Sequence, residues 1–347
     1  MPAELSNDFA RFDLDPHAVR EWEDGARMSD DSGAYECWYF DAHLADGAKV
    51  VVVFMALAPQ LWVNLELADG TRSGTAVTFP AAAWSAARGR TDVRLGPHRF
   101  AGKDLREYRI QATAGRVSVD FTLTANVPAW RPETGHVLFG EKRDLEFNWL
   151  AAVPRGTVRG HYVIDGARHE TTGTGYHDHH WGNVSLKRVV NDWYRARGQA
   201  GPYAVVASVI TSTEKHGRTE LPLLMLAFQG RIIGGGTAKM TFERRYVFTD
   251  SKTGKPVANI LRYTFVDGET RYVVMFERER DLTRTWLAKE LPWPRRAASR
   301  LTGFDGAYLR FAGVLTVEHY ESGRLIDKYT GDAGWDLTYL GHAPQGF

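Results

Sequence analysis

Much of the chain alternates between hydrophobic and polar positions with a period of two, the pattern of half-buried β-strands. Leu61, Val63 and Leu65 alternate with more polar neighbours, and Asp69-Gly70 follows as a hairpin-turn signal. Comparable runs occur at 49–56, 116–125, 158–164, 203–210, 223–228, 239–248, 271–278 and 313–320. Many short strands at this spacing predict an all-β protein made of sandwiches or barrels.

Helical patterns are rare by comparison. Only residues 16–22, 81–87 and 282–291 have a composition that predicts a helix, and each is a few turns long. We therefore expect few and short helices between the strands.

A weak internal repeat divides the chain into two halves. The dipeptide Trp-Tyr at 38–39 recurs at 193–194 with an offset of 155 residues, and Asp-x-x-Trp at 178–181 recurs at 332–335 with an offset of 154. Two matches at nearly one offset indicate a duplicated β-domain with its join near 184–192. The predicted domains are residues 1–188 and 189–347.

Charge and cysteine usage narrow the range of functions. The 43 basic and 42 acidic residues nearly cancel, so the composition gives no argument for nucleic-acid binding. The single cysteine, Cys37, excludes an internal disulfide and a cysteine-rich zinc site. The first residues lack the features of a signal peptide, and the longest apolar run, 50–59, is too short to span a bilayer. We expect a cytoplasmic protein, with contact to a membrane surface left open by the basic run 295–300.

The strongest chemical signal lies at the centre of the chain. Three imidazoles, a carboxylate, a phenol and an indole follow one another at Tyr176, His177, Asp178, His179, His180 and Trp181. Burial of so many polar groups costs several kcal/mol each unless they are paired. The cluster is therefore either exposed or retained for chemistry.

On a strand these side chains point alternately to two faces. One face receives His177, His179 and Trp181, and the other receives Tyr176, Asp178 and His180. An aspartic acid kept protonated by an apolar pocket and oriented by a tyrosine and a histidine is a strong general acid. Such an acid can protonate a carbon–carbon double bond, and aromatic ring faces then stabilise the cation.

Other interpretations of the motif compete. His177 and His179 could ligate one metal ion with help from a distant carboxylate, although no HExxH-type spacing supports this. The motif could also be a structural network that closes a barrel. A Ser-His-Asp hydrolase is disfavoured because the chain has no G-x-S-x-G elbow.

Two separated motifs resemble a known family. Residues 36–40, Glu-Cys-Trp-Tyr-Phe, with His43-Leu44 and Asp46-Gly47, resemble the E-W-W-Y-F…H-L…D-G opening of the hydroxyneurosporene synthase (carotenoid 1,2-hydratase) and AttH-like family. Residues 175–183, Gly-Tyr-His-Asp-His-His-Trp-Gly-Asn, are similar to its G-Y-H-D-H-N-W-G-N signature. This family also includes lipocalin-like Diels–Alderases.

The resemblance implies two lipocalin-like barrels in one chain and chemistry without a redox cofactor. The family's hydratases add water across a terminal isoprenoid double bond, while fungal relatives cyclise polyenes by Diels–Alder chemistry between the barrels. The acid aspartate of the hydratases and the tyrosine two positions before it match Asp178 and Tyr176. Their His-x-Trp pair aligns with 147–149, so that Trp149 is kept and Phe147 stands at the histidine position. Cys37 replaces a tryptophan and His180 an asparagine.

The first hypothesis is thus a cofactor-independent lyase or isomerase that acts on a hydrophobic isoprenoid or polyene, with Asp178 as proton donor. Tyr176, His180 and His177 complete the predicted catalytic set. The predicted substrate-binding residues are Trp149, Trp181, Trp38, Asn148, Trp193, His179 and Phe147. The second hypothesis is a pericyclic cyclase in which His177 or Asn148 polarises a carbonyl. The third is a carrier of a hydrophobic ligand.

Overall fold

The structure is a computed structural model that describes residues 2–235, 239–287 and 305–341. These residues form two antiparallel sheets of thirteen and nine strands. The helices described are single 3-10 turns, at Ala10–Phe12, Glu21–Asp24, Ala81–Ala83, Leu186–Arg188 and Glu214–His216. The prediction of an all-β fold with few short helices is confirmed.

The first sheet is built from the first thirteen strands. They are β1 (Glu4–Leu5), β2 (Tyr35–Leu44), β3 (Lys49–Met55), β4 (Gln60–Glu66), β5 (Arg72–Thr78), β6 (Trp84–Ala86), β7 (Asp92–Leu95), β8 (His98–Lys103), β9 (Glu107–Ala114), β10 (Val117–Ala125), β11 (His136–Phe139), β12 (Leu145–Ile164) and β13 (Ala167–Gly182). Their order is β5-β4-β3-β2-β13-β12-β10-β9-β8-β7-β6, and β11 joins β1 to β12.

The second sheet is built from the remaining nine strands. They are β14 (Val190–Ala200), β15 (Tyr203–Ser212), β16 (Glu220–Phe228), β17 (Arg231–Gly235), β18 (Met240–Thr249), β19 (Pro256–Asp267), β20 (Thr270–Thr285), β21 (Ala307–Glu321) and β22 (Arg324–Tyr339). Their order is β17-β16-β15-β14-β22-β21-β20-β19-β18.

The two sheets repeat one strand order. In each, the first long strand and the three strands after it are neighbours in order, β2 to β5 and β14 to β17. The later strands continue the sheet on the other side of the first long strand, and the last strand of the unit pairs with it. Strands β2 and β13 make that pairing in the first sheet, and β14 and β22 make it in the second. Strand β4 also contacts β9 and β10, which are distant in the sheet order, so the first sheet curls around its own core.

The chain divides into two compact units, each with its own core. The N-terminal unit contains residues 5–137 and 145–185, and the C-terminal unit contains 138–144 and the described residues from 186 onwards, with the first few residues of the chain. The domain boundary at 188/189 stays a prediction.

The core of the N-terminal unit is a single hydrophobic cluster. Strands β3, β4, β9 and β10 each contribute alternate apolar side chains to it, as the period-two pattern predicts. Strand β2 differs because it is buried on both faces: Trp38, Phe40 and Ala42 belong to the core, while Tyr39 and Asp41 on the other face are buried as well.

The core of the C-terminal unit starts from Tyr194 on β14, together with Ala196 and Ala200. Trp193 points to the opposite face from Tyr194 because neighbouring side chains alternate. The sequence repeat therefore aligns Trp38, which belongs to the core of the first unit, with Trp193, which lies on the sheet face opposite the core of the second unit.

The helix predictions at 81–87 and 16–22 are wrong. In segment 81–87 one 3-10 turn is followed by β6, which pairs with β7, and segment 16–22 is irregular until the 3-10 turn that begins at Glu21. In segment 282–291, residues up to Thr285 continue β20, Leu287 is helical, and residues 288–291 lie outside the described residues. Hydrogen bonds to neighbouring strands outweigh a weak helix propensity. The basic run 295–300 also lies outside the described residues.

Candidate functional site

The central motif lies on β13, between β2 and β12. Its core-side face carries His177, His179 and Trp181, which stand opposite core residues of β2 or beside them. Its outer face carries Tyr176, Asp178 and His180. The alternation predicted from the sequence is therefore present, and it separates the motif into two clusters.

Asp178 is the centre of the outer cluster. Its Oδ2 atom accepts a hydrogen bond from the Tyr176 hydroxyl at 2.8 Å and another from Trp149 Nε1 at 3.2 Å. Its Oδ1 atom lies 3.6 Å from His180 Nδ1. The side chain of Asp178 is fully buried. Register explains this convergence, because Trp149 of β12 stands directly opposite His180.

A second Tyr-x-Asp pair lies beside the first on β2. The Tyr39 hydroxyl donates to Asp41 Oδ2 at 2.8 Å, as Tyr176 does to Asp178. In the antiparallel register Tyr39 stands opposite Asp178 and Asp41 opposite Tyr176, and the two phenol rings meet edge to face with centroids 6.3 Å apart. This pair was not among the predicted site residues, although its identical spacing was a signal for it.

Asp24 is the centre of the core-side cluster. Its Oδ2 atom accepts hydrogen bonds from the Thr91 hydroxyl, from Tyr108 Oη at 2.8 Å and from His177 Nε2 at 3.1 Å. Its main-chain carbonyl accepts the Trp38 indole N–H at 3.0 Å. Asp24 ends the 3-10 turn Glu21–Asp24, so this network fixes that turn to the inside of the sheet.

The contacts of His177 determine its protonation state. Nδ1 lies 2.9 Å from the Tyr39 carbonyl oxygen and Nε2 faces Asp24, so both nitrogens face acceptors. Only the imidazolium form has a proton on each nitrogen. Burial opposes that charge, but the Asp24 carboxylate outweighs it and raises the pKa of His177. For Asp24, burial is likewise outweighed by the charge of His177, which holds the pKa of the carboxyl below its usual value.

His179 extends the core-side network to a second carboxylate. Its Nε2 atom lies 3.0 Å from Glu36 Oε1 and its Nδ1 atom 3.4 Å from Asp24 Oδ1. The imidazole stacks on Trp38 with ring centroids 4.4 Å apart. The structure thus places His177 and His179 of β13, and Trp38 of β2, on the face of the sheet opposite to Asp178.

Trp149 and Trp181 line a cavity of about 240 Å³ inside the N-terminal unit. The other lining residues lie between Phe12 and Leu150 in the sequence. Asn148 is fully buried beside it. In the amide orientation that satisfies both groups, its oxygen accepts the Trp181 indole N–H at 2.9 Å and its nitrogen donates to the Phe147 carbonyl at 3.2 Å. The Phe147 side chain is itself fully buried, opposite Gly182.

Trp193 belongs to the C-terminal unit. Its indole N–H donates to the Ser208 hydroxyl at 2.7 Å, and the Arg195 guanidinium lies 4.7 Å from its ring centroid. The substrate-binding role of this residue stays a prediction.

Metal binding was one alternative for the motif. Within residues 2–235, 239–287 and 305–341, no group of three or more His, Cys, Asp or Glu side chains is arranged to hold a metal ion. His177 and His179 instead make the carboxylate contacts described above. The same ranges contain no helix long and apolar enough to cross a membrane.

Comparison with protein families gives a match over residues 104–289, more than half of the chain, to the family described as Diels-Alderase-like. The chain belongs to the Diels-Alderase-like family. The family resemblance inferred from the two motifs is thereby confirmed, and with it the prediction of an enzyme.

A curated relative of this Diels-Alderase-like chain is the quinolone epoxide rearrangement protein asqO of Emericella nidulans. The two are 26% identical over 192 residues, which are 50% of this chain and 53% of asqO. The chain thus matches about half the length of that relative.

Two solved structures share the fold of this Diels-Alderase-like chain. CghA is 15% identical with a TM-score of 0.60, and the match covers 90% of both chains. Kievitone hydratase from Nectria haematococca is 11% identical with a TM-score of 0.54, and the match covers 89% of both chains. At these identities the likeness establishes the fold alone, and it agrees with two lipocalin-like β-units.

Proposed function

We propose that this chain is a cofactor-independent enzyme that protonates a double bond of a hydrophobic isoprenoid or polyene, with Asp178 as the proton donor. The observation that carries the proposal is a fully buried carboxyl group with both the Tyr176 hydroxyl and the Trp149 indole N–H on one oxygen.

This arrangement suits an acid. Burial disfavours a charged carboxylate and so favours retention of the proton. The two donors on Oδ2 stabilise the charge that appears on the carboxylate once the proton has left. The proton then leaves from Oδ1, and His180 Nδ1, 3.6 Å from that oxygen, is a group that can replace it.

The balanced step moves one proton and one electron pair. The π electrons of the alkene form the new C–H bond with the proton of Asp178, and a cation remains on the neighbouring carbon. Water, another double bond or loss of a proton then removes the cation, which gives hydration, cyclisation or isomerisation. The Trp149 indole, held beside Asp178 by its own hydrogen bond, supplies a ring face that stabilises positive charge.

The relatives support acid chemistry of this kind. Acid-assisted opening of an epoxide and addition of water to an alkene both begin with proton donation by the enzyme. The names of asqO, an epoxide rearrangement protein, and of kievitone hydratase agree with such a step. The substrate is a small hydrophobic molecule in each of our hypotheses.

The test is deuterium transfer from solvent. Purified wild-type protein and the Asp178→Asn variant are incubated in deuterium oxide with a panel of terpenoids and linear polyenes, and products are analysed by mass spectrometry. We expect a product with deuterium on carbon from the wild type and a loss of at least about 100-fold in the variant. Full activity of Asp178→Asn would refute the acid role.

Asp41→Asn is the matched control. It replaces another buried carboxyl group of the same sheet face that has the same tyrosine hydrogen bond, so it reproduces the packing change without touching Asp178. We expect its product to keep the deuterium. Equal loss in both variants would show that the effect comes from general damage to β2 and β13.

A pericyclic cyclase is the second candidate, favoured by the description of the family as Diels-Alderase-like. In that case the protein folds the polyene and polarises a carbonyl, and no proton reaches carbon. The product would have unchanged mass without deuterium, and Asp178→Asn would retain most of the rate. Binding of a polyene without any product would instead favour a carrier.

A further inference from the structure

The cavity inside the N-terminal unit has a composition that the proposed reaction does not explain. Its apolar walls include Phe12, Trp22 and Trp181, and its titratable lining residues include His136 and Glu146. The volume of about 240 Å³ is smaller than the roughly 300–1,000 Å³ of pockets for drug-sized ligands. A ligand of one or two fused rings fits this space, whereas a long polyene does not.

His136 is held as a neutral hydrogen-bond acceptor. Its Nδ1 atom lies 2.8 Å from the Thr134 carbonyl oxygen, which accepts only, so Nδ1 has the proton. The ring stacks on Phe12 at a centroid distance of 3.8 Å. Burial, together with the charges of Arg131 and Arg11, lowers the pKa of His136 to about 4 against the opposing effect of the Thr134 bond.

The second nitrogen of His136 is available to a ligand. Among the residues that the structure describes, no protein group is hydrogen-bonded to Nε2, while the residue lines the cavity. A neutral imidazole with a proton on Nδ1 presents a lone pair at Nε2. The cavity wall therefore offers one acceptor next to aromatic ring faces.

The charged groups around the cavity are already paired within the protein. Arg131 Nε lies 2.7 Å from Glu23 Oε2, and both side chains are buried. The Arg27 guanidinium donates to main-chain carbonyls and lies over the Trp22 ring. Since these charges have partners, an ionic ligand would gain no free counter-ion from them, and a neutral ligand is favoured.

Glu146 agrees with a neutral site. Burial raises the pKa of Glu146, although the Arg11 guanidinium, 3.7 Å from Oε1, opposes this.

We infer that this cavity is a binding site for a small neutral hydroxy-aromatic molecule, whose hydroxyl group donates a hydrogen bond to His136 Nε2 while its rings pack between Phe12 and Trp181. The inference is separate from the proposed alkene protonation, because it rests on His136 Nε2 and the rings of Phe12 and Trp181, although Trp149, which donates to Asp178, also lines the cavity.

Two fluorescent probes test it on the purified full chain. 7-Hydroxycoumarin has the hydroxyl donor, and 7-methoxycoumarin has the same rings without it. We expect the hydroxy probe to bind about three- to tenfold more tightly, the value of one neutral hydrogen bond. Equal affinities, or no binding of either probe, would overturn the inference.

Three variants assign the preference to the cavity. His136→Phe keeps a ring against Phe12 and should abolish the difference between the probes, whereas survival of the difference would refute the role of Nε2. Leu14→Trp, at another lining residue, fills the space and should remove binding of both probes without changing His136. Asp178→Asn should bind both probes like the wild type, so that failure of this inference and failure of the proposed reaction are distinguishable.

Discussion

The last strands of the two units occupy the same place in the same strand order, yet their inner faces differ in chemistry. On β13 the inner face presents His177 and His179 to the buried carboxylates of Asp24 and Glu36. On β22 the inner face presents Trp335, Leu337 and Tyr339 to an apolar core. One core is thus closed by a polar network and the other by aromatic packing.

The outer faces of the same strands differ as well. Asp178 on β13 accepts hydrogen bonds from neutral donors, a phenol and an indole. Asp336 on β22 receives two hydrogen bonds from the Arg195 guanidinium, at 3.1 and 3.2 Å. A guanidinium is always charged and neutralises its carboxylate, whereas neutral donors leave a carboxyl group able to exchange a proton. The two units thus share one strand order, but the hydrogen-bond partners of the carboxyl group on the last strand differ between them.

The largest expected effect comes from removing the centre of the polar network. Asp24→Ala leaves the buried imidazolium of His177 without its counter-ion, and we expect a loss of about 3–5 kcal/mol in the free energy of unfolding. Hydrogen exchange read by mass spectrometry should show the loss in peptides of the N-terminal unit. Asp15→Ala, at a more exposed carboxylate, should change stability far less. A loss below about 1 kcal/mol in Asp24→Ala would contradict the network.

The next effect concerns the outer face. Tyr176→Phe removes one donor from Asp178, and we expect the rate of deuterium transfer to fall about 10- to 100-fold because the conjugate base loses a charged hydrogen bond. Tyr39→Phe removes the equivalent bond from Asp41 and should leave the rate within about threefold. If both variants are equally slow, the two Tyr-Asp pairs are not distinct in function.

A pH titration should separate the two cores. The pKa of His177 is raised in the folded state, so its stabilisation is complete below its unfolded value of about 6.5 and is lost as pH rises through the folded value. Each unit of pKa shift contributes about 1.4 kcal/mol. As pH rises above about 6.5 we expect the N-terminal unit to lose protection from exchange, and His177→Gln to abolish this dependence.

The C-terminal unit is the internal control for that titration. Its buried Asp192 is paired with Arg244, whose Nη2 atom lies 3.2 Å from Oδ1, and a guanidinium does not titrate in this range. Equal loss of protection in both units above pH 7 would mean that the effect does not arise at His177.

The smallest effect has the opposite sign. The pKa of His136 is lowered to about 4, so between that value and about 6.5 the unfolded chain binds a proton that the folded chain does not. Stability therefore falls as the pH is lowered through this window, and His136→Phe should recover about 1 kcal/mol at pH 5.5 relative to pH 7.5. Thermal unfolding of the wild type and the variant at the two pH values measures this recovery, and an unchanged difference would contradict it.

Strands such as β4 and β10 could be predicted because they show local alternation and lie next to turn dipeptides such as Asp69-Gly70, between β4 and β5, whereas β2, β19 and β22 were not predicted. The split of the central motif into two faces followed from the same periodicity. Asp24 could not be predicted, since it meets His177 across 153 residues and lies on an irregular 3-10 turn without a periodic signal. The acceptor state of His136 depends on a carbonyl orientation that composition does not encode.

Pairing of the first long strand with the last one also determines how late each unit can finish folding. Strand β2 is complete at Leu44, but its partner β13 ends at Gly182, so during synthesis one long edge of β2 waits for more than a hundred further residues. Closure of so long a loop is slow, and an unpaired strand edge invites association with other chains. We therefore expect nascent chains arrested before residue 182 to recruit chaperones, and chains that have passed it to release them.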